Sequence, residues 1–128
     1  MSYYLSRTLH VPFDEAVTRA TEALRSEGFG IITDINIAET LKLKIGVDYP
    51  AYRILGACNP ALAHEALALE NKVGTMLPCN VVVRDAGKGE TEVAAVDPVA
   101  SMQAIDNPAL GEKARAVRAK LERALQRL

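Results

Sequence analysis

The side chains best suited to chemistry in this chain of 128 residues are its two cysteines, Cys58 and Cys79, each followed by an asparagine. They stand in "ILGACNPALAHEAL" (54–67) and "MLPCNVVV" (76–83). Cys58 comes one residue before Asn59-Pro60, a pair suited to a helix start. Asparagine caps free N–H groups there, and proline fits the first helical position. A thiol in that place sits beside the positive end of a helix dipole, which can favour the thiolate. Cys79 follows Pro78, which cannot donate to a sheet ladder, so a strand should begin at the cysteine. Taken alone, each cysteine also reads as a small buried apolar residue. If the intervening helix returns the chain to the same sheet edge, the two thiols approach each other. Asn59 or Asn80 could then contact a bound ligand.

Other chemistries fit the sequence less well. The cysteine spacing matches neither a Cys-x-x-C redox motif nor a zinc-ligand pair. Two thiolates with Met76 would suit Cu(I), and His64 could add a nitrogen. Zinc wants four ligands, and the chain holds only two histidines, His10 and His64. No metal or cofactor is therefore expected. Cys58, His64 and Asp97 name the parts of a nucleophilic triad, but no oxyanion motif accompanies them. "GKG" at 87–89 opens no helix with "GK[ST]" and reads as a turn.

The elements that must position these residues follow from periodicity and punctuation. "YYLSRTL" (3–9) reads as a strand. "FDEAVTRATEALRSEG" (13–28) has Ala16, Val17, Ala20 and Leu24 on one helical face, with Asp14 and Glu15 in the first turn and Gly28 as the stop. "FGIITDI" is a second strand. Asn36 and Glu39 have the spacing of a capping box for a short helix over 37–45, ended by Gly46. "YRILGAC" is a third strand and "PALAHEALALEN" (60–71) a helix. That helix is apolar around most of its girth, so it should be covered on more than one side, as a dimer contact or a pocket wall. "NVVVRD" and "TEVAAVD" flank "AGKG" as a hairpin, closed by Asp97-Pro98. Asn107 and Pro108 open a last helix whose Leu110, Ala114, Val117, Leu121, Leu125 and Leu128 form a stripe. This order predicts one α+β domain over 1–128, a mostly antiparallel sheet with helices against one face.

Composition sets the outer limits. Apolar residues make up 49% and charged residues 24%, the balance of a globular domain, and the net charge is -1. Nothing in that balance argues for nucleic acid or an anionic membrane. No stretch approaches the roughly twenty apolar residues of a membrane span, and the N-terminus lacks the pattern of a signal peptide. A cytoplasmic protein with free thiols is expected. Residues 112–128 carry six Lys or Arg against two Glu, and with no aromatics among them they read as a solvated face.

"PFDEAV…ALRSEGFGI", "YRILGACNPALAHEAL", "LPCNVVV" and "VAAVDPVASM" together resemble the family catalogued as domain of unknown function 302. The likeness spans essentially the whole chain. It implies a fold similar to that of the TATA-box-binding protein: strand, helix, four further strands of a curved antiparallel sheet, and a long C-terminal helix. It also implies homodimers. It implies no activity, and a fold shared with a DNA-binding protein does not bring DNA binding with it. The expectation is thus a non-catalytic homodimer with a pocket for a small polar molecule at Cys58, Asn59, Cys79 and Asn80, and with His64 and Met76 as accessory positions. The alternative is a thiol-dependent redox or soft-metal protein using the same cysteines. A third reading is a partner-binding module in which both cysteines are core.

Overall fold

The computed structural model describes residues 2–128. Its elements are β1 (Tyr4–Leu9), α1 (Phe13–Ser26), β2 (Gly30–Asn36), α2 (Ile37–Ile45), β3 (Tyr52–Cys58) and α3 (Pro60–Leu69). A 3-10 turn (Val73–Met76) follows, then β4 (Cys79–Gly87), β5 (Glu90–Val96), α4 (Pro98–Ser101) and α5 (Pro108–Gln126). The five strands form one antiparallel sheet in the order β1-β5-β4-β3-β2. The expected α+β architecture is therefore present. The short α4 and the 3-10 turn are additions that no periodic pattern announced. Among the described residues no helix is long and apolar enough to cross a membrane.

Local signals set most boundaries. Three helices open on asparagine: Asn36, Asn59 and Asn107 each accept a hydrogen bond from the backbone N–H three residues on. Asp97 plays the same part for α4. Helix α1 ends in a Schellman motif: Phe29 N–H donates to Leu24 O and Gly28 N–H to Arg25 O, each at 3.0 Å. Gly28 has φ +88° there, a conformation that residues with a Cβ rarely adopt. The hairpin between β4 and β5 turns on Lys88 and Gly89, both at positive φ, as a type I′ turn requires.

One face of the sheet is covered. Leu55 and Ala57 of β3, Val81 and Val83 of β4, and Val93 and Ala95 of β5 are all buried against α1 and α5. Alanines 16, 20 and 23 of α1 let that helix lie close to the strands. A smaller core forms around Ala66, Val73 and Leu110. Helix α3 buries only Ala66, with Leu67 and Leu69 exposed, so within one chain it is covered on one side rather than on several. On the opposite face Ile54, Val82 and Ala94 are only partly buried.

The basic residues of α5 are largely spoken for, where a solvated face was expected. Arg118 pairs with Asp97, Arg123 and Arg127 with Glu27, and Lys113 with Glu65. From β1, the Arg7 guanidinium donates to the carbonyls of Leu125, Gln126 and Leu128 at the end of α5. Charge on this helix thus binds it to the rest of the domain.

Gly56 lies buried in the centre of β3, between Thr33 on β2 and Asn80 on β4. A Cβ at that position would collide with Thr33 Oγ1 and come within 2.8 Å of Pro78 Cγ. Gly56→Ala should therefore lower stability by about 2 kcal/mol through overpacking. Thr33→Ala in the same chain should recover part of the loss. Urea unfolding of the single and double variants checks both expectations.

Candidate functional site

Strand β3 delivers Cys58 to the sheet end, and Asn59-Pro60 turns the chain at once into α3. After α3 and the 3-10 turn the chain comes back, and β4 begins at Cys79, directly opposite Ala57. The neighbouring residue, Cys58, pairs with Gly30 of β2. The two cysteines thus stand on adjacent strands, one residue out of register, and both are unpaired thiols.

Between this end of the sheet, α3 and α5 lies a cavity of about 300 Å3 lined by Ala57, Cys58, Asn59 and Cys79. Its buried wall includes Phe29, Leu110, Ala66 of α3 and Ala114 of α5. At its opening stand Ile32 and Leu67, 61% and 44% exposed. Ile32 owes its place to a break in the β2·β3 register between Ile31 and Thr33. Such bulges turn a side chain away from the regular pleat. The lining is almost wholly aliphatic, and Lys113 is its one charged side chain. Such walls offer mostly apolar contact.

The other residues singled out in the sequence fall elsewhere. Asn80, one step along β4 from Cys79, points to the open sheet face, where it lines a groove with Tyr4, Tyr52 and Arg84. His64 is exposed on α3 and Met76 is exposed in the 3-10 turn; neither lines the cavity. Among the described residues no group of three or more His, Cys, Asp or Glu side chains could hold a metal ion. Sequence reasoning passed over Phe29, Ile32 and Lys113 as site residues. Ala114 and Val117 had a visible signal, the α5 stripe, but a stripe does not distinguish a cavity wall from core.

Burial, and after it the nearby Cys58, push the Cys79 thiol up to about 11. It is therefore a neutral, weakly reactive thiol near pH 7. The Asn59 side chain is committed to α3 through its Oδ1, which accepts from Leu62 N–H at 3.3 Å. Its Nδ2 lies 3.0 Å from where a Cβ on Gly28 would stand. The α1 stop and the α3 cap therefore pack closely where residue 28 carries no Cβ.

The family described as "Domain of unknown function DUF302" matches residues 5–128. A crystal structure of an uncharacterized conserved protein DUF302 from Bacillus stearothermophilus superposes with a TM-score of 0.91. That protein is 30% identical, with 99% of this chain and 98% of the other covered. No curated protein matches the chain significantly.

Native protein at pH 8 should leave Cys79 unmodified by an alkylating reagent, and mass spectrometry of the digested product reads this directly. Because the folded state holds the Cys79 proton more tightly than the unfolded chain does, stability should fall as pH rises from about 9 to about 11. Cys79→Val should remove that part of the alkaline loss. An equal slope in both proteins, measured by urea midpoints, would contradict the assignment.

Proposed function

The chain belongs to the DUF302 family, and we propose that it is a non-catalytic binding protein whose apolar cavity beside Cys58, Asn59 and Cys79 takes a small ligand. The observation that carries this reading is the cavity itself. Closely packed domains rarely leave voids much larger than a water molecule, and this one lies at the low end of the range for ligand sites. Its walls come from five separate stretches of the chain, so its shape is a property of the whole fold. Two unpaired thiols fit a reducing, cytoplasmic setting.

We further propose that two copies pair through the open sheet face. Across its middle the register aligns Ala94, Val82, Ile54 and Ile35 in one apolar row. Tyr4 and Tyr52 flank the row, and Arg84 and Glu92 form an ion pair at 2.7 Å beside it. Apolar centre, tyrosine anchors and a charged margin are the anatomy of a protein interface. On this arrangement Asn80 faces the partner and not the ligand.

A second reading, thiol chemistry, draws on the fact that both cysteines line one cavity. It is weakened by the raised pKa of Cys79, and neither His64 nor Met76 belongs to the cavity lining.

An environment-sensitive apolar dye should brighten on binding the native protein. Ala63→Phe, which places a ring in the cavity from the half-buried side of α3, should remove most of that signal while leaving the urea midpoint near its original value. A dye signal unchanged in a folded Ala63→Phe protein would place the binding elsewhere. For the interface, the native chain should sediment as a dimer and Val82→Glu as a monomer. A native monomer at micromolar concentration would end the pairing proposal.

A further inference from the structure

The cavity has a chemical polarity of its own. Its inner end is closed by Phe29, Ala57 and Leu110, each 2% exposed or less, and offers an occupant only apolar contact. Toward solvent the apolar surface continues onto Ile32 and Leu67, so the opening is lined with grease and not with water-binding groups. Lys113 is the one charged residue among the described residues of the lining. It is held by Glu65 of α3 at 2.8 Å, with both side chains more than a third exposed. Glu65 itself does not line the cavity. Of the two members of this pair, only the lysine belongs to the lining.

From this arrangement we infer that the ligand is an amphipathic monocarboxylate, its hydrocarbon part in the cavity and its carboxylate at Lys113. The inference rests on the ligand-binding reading above and adds to it the charge and the size of the ligand. A carboxylate arriving at Lys113 replaces the Glu65 carboxylate or shares the ammonium with it. The lysine loses no partner, and Glu65 is released to water. Three donors on an ammonium permit the shared form as well. Glu65 also holds the Lys113 pKa above its usual value, so the cation persists across neutral pH. A ligand with an ammonium head would meet like charge, and a neutral alcohol would gain the apolar contacts alone. Size follows from volume: about 300 Å3 accommodates about ten non-hydrogen atoms at roughly 30 Å3 each. An eight-carbon carboxylate is of that size. Longer chains would extend over Ile32 and Leu67 with diminishing return.

The test is calorimetric titration of the full chain with octanoate, octan-1-ol and octylammonium at pH 7 and low salt. Octanoate should bind about fivefold more tightly than octanol, the scale of one partly exposed ion pair, and octylammonium more weakly than either. Lys113→Met, a substitution at a half-buried helix position, should erase the preference for octanoate over octanol. The preference should also shrink as salt is raised. Equal binding of octanoate and octanol, or a preference that survives in Lys113→Met, overturns the carboxylate assignment while leaving the cavity as an apolar site. Failure of all three probes to bind overturns the cavity reading together with it.

Discussion

The helical side of this domain depends on a buried carboxylate. Glu27, just past the end of α1, has a side chain only 6% exposed, and it is matched by Arg123 and Arg127 from α5, each at 3.0 Å. A carboxylate so far from water is costly unless paired, and the two arginines, each about half exposed, reach in from the surface to pair it. The pairing fixes α5 against α1 and thereby places Leu121 and Leu125 on the sheet. The same helix, further toward its N-terminus, supplies Leu110, Ala114 and Val117 to the cavity. Core and candidate site are therefore two stretches of one stripe, both set by where α5 lies. Asp97 with Arg118, and Arg7 with the last carbonyls, hold the same helix at two further points.

The sheet divides labour between its faces. Toward the helices it presents Leu, Val, Ala and one cysteine; away from them it presents a row of aliphatic residues beside tyrosines and a charge pair. Strand alternation makes this division inevitable, and it separates the two Cys-Asn pairs as well. At residues 58 and 59 the chain leaves the sheet, so both side chains stay beside the cavity. At 79 and 80 the chain is within β4, so cysteine and asparagine point to opposite faces. An identical dipeptide thus has two meanings, decided by the backbone it sits in.

What could be read from the sequence was what short-range physics decides. Asn36, Asn59, Asn107, Gly28 and Gly46 mark helix ends because caps and left-handed turns involve only a few neighbouring residues. The order of elements was legible for the same reason, whereas the meeting of β3 with the start of β4 stood only as a condition on how the intervening helix returns. The four-residue α4 was not, being too short to show a period. Nor was the cavity, since Phe29 before β2, Ile32 in β2 and Lys113 in α5 share no pattern. The partners of the α5 arginines lie as far away as Glu27, and nothing local in a basic helix tells a paired face from a solvated one.

Ile32 has a bearing on solubility. β2 is an outer strand of the sheet, and a regular outer strand offers unpaired N–H and C=O groups to any other chain. The register break at Ile32 interrupts that row near its middle. An extended segment docking along β2 would lose its alignment there. The irregularity that turns an isoleucine toward the cavity mouth thus also guards the outer edge of the sheet against edge-to-edge aggregation.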